Sequence, residues 1–166
     1  MKVCERVVLC KWDSLVKDYI DPLQFAYRRS SSTDDAVLYV LENIYLHSGK
    51  KNYNKTQAVR LMFFDFSSAF NTFQRHLLVQ KLLKRKLPSS VISWFFDYLT
   101  NRLQYVWLNA VQLSTVICTN TGAPQGTVLA PFLFSLYTAD CRNFGESCPV
   151  VKFADDIELI GKISND

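Results

Sequence analysis

Phe153-Ala154-Asp155-Asp156 constrains this chain most, because it sets two adjacent carboxylates between the apolar runs Val150-Val151-Lys152 and Ile157-Glu158-Leu159-Ile160. An ionised group withdrawn from water needs a charge partner or a metal. On a continuous strand neighbouring side chains point to opposite faces, so both acids look the same way only where the backbone turns between two short strands. The segment from Cys148 to Ile160 therefore reads as a β-hairpin with the acids at its tip. An ordinary Asp-Asp turn has the same local pattern, and the rest of the chain must separate the two readings.

A second acid stands in similar surroundings. Ala58 to Phe66 is β-branched and aromatic, reads as a buried strand, and closes on Asp65 with Phe63, Phe64 and Phe66 around it. Upstream, Val7, Val8, Leu15, Val16 and Tyr19 predict a short helix, which Asp21-Pro22 stops. Gln24 to Arg29 is aromatic and then basic, a loop that runs through three serines into a helix with Thr33 as its cap. The expected apolar face of that helix is Val37, Leu38, Leu41, Ile44 and Tyr45, and its end is Gly49. Lys50 to Lys55 reads as an exposed basic linker.

Beyond Asp65, Phe70, Phe73, Leu77, Leu78 and Leu82 keep helical spacing up to Pro88. Lys84-Arg85-Lys86 complements that helix's dipole, or meets phosphate. Ser89-Ser90 caps a further helix to Asn101, whose aromatics suit a core better than a base-stacking platform. Arg102 to Asn120 reads as a hairpin turning near Asn109-Ala110. Thr121-Gly122-Ala123-Pro124-Gln125-Gly126 is the strongest loop pattern, and Thr127 to Asp140 behind it is an apolar helix with Pro131 in its first turn. Such a loop is structural, or presents backbone N–H groups to a phosphate or a base pair.

With 166 residues and 49% hydrophobic composition, the chain suits one domain with a sizeable core. A net charge of +4 is compatible with nucleic acid without requiring it. Five cysteines without a Cys-x-x-Cys pair, and two histidines at no zinc spacing, predict free thiols in a reducing, intracellular setting, cytoplasmic or nuclear. No apolar run approaches the ~20 residues a bilayer requires, so no membrane partner is expected.

The order of strand ending in an acid, helices, glycine-flanked loop before a helix, then acid-tipped hairpin suits a split βαβ sheet. There Asp65 and Asp155-Asp156 lie on neighbouring antiparallel strands, and three carboxylates can hold two magnesium ions ~3.5 to 4 Å apart for phosphoryl transfer.

Three stretches, Leu61 to Asn71, Gly122 to Pro131 and Phe153 to Asp156, resemble in order motifs A, B and C of reverse transcriptases, in the form found in LINE-type (non-LTR) retrotransposons. Gln24-Phe25-Ala26-Tyr27-Arg28 is similar to the fingers motif that precedes them. The resemblance implies an α+β fold: a polymerase palm with partial fingers, its antiparallel sheet packed against helices. Residues 1–57 would be the partial fingers and 58–166 the palm.

It further implies an RNA-directed DNA polymerase acting on an RNA template, a DNA primer and deoxynucleoside triphosphates, with two Mg²⁺ ions or Mn²⁺ in their place. Asp65, Asp155 and Asp156 match the catalytic, metal-binding acids, with Asp65 and Asp155 as first-choice ligands. Phe70 matches the aromatic gate against a ribose 2′ hydroxyl. Phe66, Gln125 and Gly126 match residues around the incoming nucleotide and template, and Arg28 a contact to the triphosphate. Ser30, Ser31, Asn71, Thr127 and Ile157 depart from the family's commonest pattern. With neither primer grip nor thumb matched, the chain is expected to be a piece of a longer polymerase. The alternative is a non-catalytic nucleic-acid-binding relic using Arg28, Arg29 and Lys50-Lys51. A nucleotidyl cyclase on a similar palm would leave Gly122 to Pro131 and Phe70 without a task.

Overall fold

The computed structural model describes residues 2–49, 57–107, 113–143 and 148–164. The expected basic linker at Lys50 to Lys55 and the turn at Asn109-Ala110 lie outside them. The chain forms two compact units, each assembled from separated stretches: residues 1–16 with 68–137, and residues 17–67 with 138–166.

Among the described residues, the unit of residues 17–67 and 138–166 holds a three-stranded antiparallel sheet, one α-helix and a short 3-10 helix at Lys17–Tyr19. Its helix α2 is Thr33–Ser48, and its strands are β1 (Gln57–Asp65), β4 (Val150–Phe153) and β5 (Asp156–Ser164), in the order β1-β5-β4. The acid-tipped hairpin is present as expected, with β4 and β5 paired and Ala154-Asp155 between them. β1 pairs with β5 in antiparallel register from Gln57↔Ser164 to Asp65↔Asp156, which bears out the neighbouring antiparallel strands.

Three features of this unit differ from those the sequence predicts. The cap of α2 is Ser32 rather than Thr33: its hydroxyl accepts from the Asp35 amide while the Asp35 carboxylate accepts from the Ser32 amide, a reciprocal capping box. These bonds to Ser32 hold the Asp35 carboxyl below its ordinary range. The face that α2 buries is set by Ala36 and Val40, with Ile44 partly buried, while Val37, Leu38, Leu41 and Tyr45 are exposed. Ala36 and Val40 lie in the core with Val151 and Ile160 of the sheet, and Tyr39 and Ile44 pack against that core. Nor is β1 a buried strand. It is an edge strand whose last four residues are all exposed, Phe63 to 73%.

The other unit is mainly helical: α1 (Lys2–Val16), α3 (Arg75–Lys84), α4 (Ser89–Leu99) and α5 (Leu129–Tyr137), with the short antiparallel pair β2 (Arg102–Gln104) and β3 (Ile117–Thr119). α5 is buried along nearly its whole length, as a helix apolar on all sides must be. Phe73 and Phe95 pack against its Tyr137 and Phe132, and Leu78, Leu82 and Leu99 are buried in the same unit. Of the aromatics of α4, Phe95 is core as expected, Trp94 and Tyr98 are half-buried and Phe96 is exposed; Trp94 and Phe95 meet Trp12 edge-on at 4.9 and 5.1 Å.

The helix expected from Phe70 starts only at Arg75. Ser68 is left-handed (φ 56°) and its carbonyl accepts from the Asn71 and Thr72 amides, so a turn replaces the first helical residues. Pro88, not a serine, occupies the cap position of α4 and makes no side-chain cap bond. No described helix is long and apolar enough to cross a membrane.

Candidate active site

Antiparallel register brings two of the three predicted acids together. Asp65 ends β1 directly opposite Asp156, the first residue of β5, and directly opposed residues share a sheet face. It is the face carrying α2, because Val59 and Leu61 on β1 and Ile160 on β5, in step with the two acids, join the core formed with Ala36 and Val40. Both carboxylates are exposed, and neither forms a hydrogen bond or ion pair with a described residue. Like charges directly opposite destabilise a ladder, so this pair is suited to a cation. Asp155 stands in the turn, half-buried, and its charge together with burial pushes the Tyr27 phenol up, burial being the larger cause. Among the described residues, no group of three His, Cys, Asp or Glu side chains is gathered that could hold a metal ion.

A mostly apolar hollow of about 370 Å³ opens beside the pair, lined by Thr33, Val37, Phe63, Asp65, Phe153, Asp156 and Glu158 among others. Its volume is in the range of small-molecule sites. Glu158, facing Phe63 across the ladder, has a buried carboxylate oxygen without a hydrogen-bond partner, and burial raises its pKa.

The turn that carries the acids is held from a stretch about 130 residues earlier in the chain. Gln24 is 1% exposed. Its Oε1 accepts from the Ala154 amide at 3.0 Å and from the Ala26 amide at 3.1 Å, while its Nε2 donates to the Ala154 carbonyl at 3.1 Å. Ala154 itself is left-handed, at φ 59°. Next to it, Lys152 donates its amide to Leu23 and accepts from the Phe25 amide. The Lys152 ammonium is buried, 2.7 Å from Asp21 Oδ2 and 2.9 Å from the carbonyls of Thr138 and Cys141. Sequence reasoning missed Gln24, Asp21 and Lys152, since nothing local marks a partner so distant in the chain. A lysine inside an apolar strand was the available hint.

The other predicted residues of this unit lie on its surface. Arg28 is exposed, and its Nη1 donates to the carbonyls of Pro22 and Gln24 within its own loop. Phe66 is also exposed.

In the mainly helical unit, the Gly122 loop is tied to the turn before α3. Gly122 donates to the Phe73 carbonyl and Ala123 to that of Phe70, both at 2.7 Å. A Cβ on Gly122 would lie 2.9 Å from the Phe70 carbonyl oxygen, and its φ is +74°, so only glycine fits without strain. Arg102 donates from Nη2 to the carbonyls of Thr121 and Gly122, and burial lowers its pKa.

The N–H groups at the head of α5 are largely committed. Glu5, buried on α1, accepts from the Val128 amide at 2.7 Å, and the Thr127 hydroxyl accepts from Ala130. Tyr98 donates its hydroxyl to the other Glu5 oxygen, and burial above all pushes that phenol up to about 12. The expected offer of backbone N–H groups is therefore narrowed to the loop itself. Gln125 and Gly126 are exposed there, Gln125 donating to Asn71 Oδ1 and Gly126 with open space where a Cβ would stand. The Phe70 ring is half-buried against Phe134, with centroids 4.9 Å apart.

Comparison with known proteins bears out the family resemblance. The chain is 29% identical over 163 residues to the probable RNA-directed DNA polymerase from transposon X-element of Drosophila melanogaster, covering 94% of this chain and 17% of that protein. It is 27% identical over 169 residues to the corresponding polymerase from transposon BS of the same organism, covering 96% and 18%. The chain thus spans under a fifth of each relative. Among solved structures, apo telomerase from Candida Tropicalis truncated from its C-terminal domain superposes with a TM-score of 0.63 at 16% identity, over 95% of this chain and 33% of that one. A second structure of apo telomerase from Candida Tropicalis gives 0.60 at 15%, over 95% of this chain and 31% of that one. These likenesses bear out the α+β, palm-like fold with its antiparallel sheet and helices. The family described as reverse transcriptase (RNA-dependent DNA polymerase) matches residues 1–166, so the chain belongs to the reverse transcriptase family.

Proposed function

We propose that this chain is the catalytic part of a LINE-type retrotransposon polymerase, with partial fingers over residues 1–57 and palm over 58–166, extending a DNA primer on an RNA template. The reading rests above all on Asp65 opposite Asp156 with Asp155 one residue away, in a chain of this family. Facing carboxylates are hard oxygen donors of the kind magnesium takes, so Asp65, Asp155 and Asp156 would hold the divalent ions, Mn²⁺ substituting for Mg²⁺. When bound, such ions lower the pKa of the attacking hydroxyl and offset charge on the triphosphate.

Arg28 suits a triphosphate oxygen, since beyond Nη1 its guanidinium makes no hydrogen bond to a described residue. Phe70 would crowd a 2′ hydroxyl and select deoxynucleotides. Phe66, Gln125 and Gly126 are accessible for the nucleotide and template. The five unpaired cysteines support work in a reducing compartment, in cytoplasm or nucleus.

The test is magnesium-dependent primer extension on an RNA template. Asp155→Ala should abolish incorporation, and undiminished extension would overturn the site. A non-catalytic nucleic-acid-binding relic is the second reading, favoured by the lack of a three-ligand group among the described residues. It predicts salt-sensitive RNA binding without incorporation.

A further inference from the structure

We propose that Gln24 is a positioning residue for the acid turn: its carboxamide fixes the Ala154 peptide, and with it the direction in which Asp155 and Asp156 leave the backbone. This rests on the reading of those acids as the polymerase's cation site, and it adds a residue to which that reading assigns no role.

Three observations carry it. First, Ala154 is left-handed, a conformation that crowds the Cβ of an L-residue against the following carbonyl. A turn of this kind persists when its surroundings hold it, and Gln24 takes both the N–H and the C=O of that one residue.

Second, the carboxamide has one orientation. Oε1 accepts two amides and Nε2 donates to a carbonyl, so exchanging oxygen and nitrogen would break all three bonds. At 1% exposure no solvent replaces them.

Third, the stretch bearing Gln24 is itself anchored. Leu23 and Phe25 bond to both sides of the Lys152 peptide, and Asp21 pairs with the Lys152 ammonium. The hold on Ala154 is therefore rigid rather than a tether. It also requires a carboxamide: glutamate keeps the acceptor and loses the donor, and methionine keeps the length and loses both.

The test uses the 166-residue chain, with Gln24→Met, Gln24→Glu and Asp155→Asn beside the wild type. Amide hydrogen exchange and Mn²⁺ titration, the latter followed by line broadening of backbone amide resonances, are the readouts. Gln24→Met should speed exchange at residues 154–156 about tenfold while β1 and α2 amides hold, and weaken Mn²⁺ binding about tenfold, as loss of a supporting residue does around a metal site. Gln24→Glu should fall between it and the wild type.

Faster exchange spread evenly over β1, β4 and β5, with Mn²⁺ affinity of the folded protein unchanged, would mean a general structural role and overturn the proposal. So would turn exchange equal to that of the wild type. If Asp155→Asn binds Mn²⁺ as the wild type does, the acid-site reading fails by itself, and the exchange data still decide for or against Gln24. Should Gln24→Met not fold, Gln24→Glu decides by the same two readouts.

Discussion

At the acid turn the left-handed residue is Ala154, and a buried side-chain amide, Gln24, holds its peptide; at the Gly122 loop the left-handed residues are glycines, and main-chain bonds to Phe70 and Phe73 do most of the holding. The difference follows from what each loop presents. A turn that must aim two carboxylates is better rigid than permissive, and its strain is offset by hydrogen bonds from a distant stretch. A loop that lies against the backbone of a neighbouring turn needs the space that glycine leaves, and Gly122 has no room for a Cβ. A buried charged group supports each loop, Lys152 paired with Asp21 at one and Glu5, accepting from the Tyr98 hydroxyl, at the other.

Five changes test this contrast. The largest effect is expected from Lys152→Met, which leaves Asp21 buried and unpaired beneath the acid hairpin. Denaturant unfolding should show a loss of about 3–5 kcal/mol, and a loss under about 1 kcal/mol would mean that the ion pair is not what anchors β4. Gly122→Ala should cost about 2–3 kcal/mol, from its left-handed φ and the clash with the Phe70 carbonyl. The same measurement on Gly126→Ala should give less, since that position is strained in φ alone.

Ala154→Gly reverses the sense of the experiment. Relief of left-handed strain should leave stability equal or higher by up to about 1 kcal/mol, while the acid turn becomes more mobile by amide exchange. Tyr98→Phe is the smallest change at neutral pH. The folded protein holds the phenol proton more tightly than the ordinary value of 10.0, up to about 12. That contribution is complete below pH 10 and is lost as pH rises through 12. Thermal unfolding of the wild type should therefore weaken across that window, and that of the Phe variant should weaken less.

Much of the site was legible in order and type. The acids at 65, 155 and 156, the glycine loop and the hairpin were all marked by local chemistry: charge inside apolar runs, glycine flanking proline, and strand residues on either side of a turn. Two of the differences share a cause. Helical spacing points to Val37, Leu38, Leu41, Ile44 and Tyr45 as the buried face of α2, yet packing on the sheet buries Ala36 and Val40. The last residues of β1 looked like core and are exposed, because the strand lies at the sheet edge. In each case the partner, rather than the residue, decided burial.

The sequence by itself determined the family, the antiparallel acid-bearing strands and the order of the motifs, because each is written in residue types a few positions apart. Tertiary structure alone decided that Asp65 faces Asp156, that Gln24 closes on Ala154 and that Glu5 caps the head of α5. Those pairings join positions roughly 90 to 130 residues apart. Register and burial are properties of the packed sheet and helices, and no local pattern encodes the far partner of a hydrogen bond.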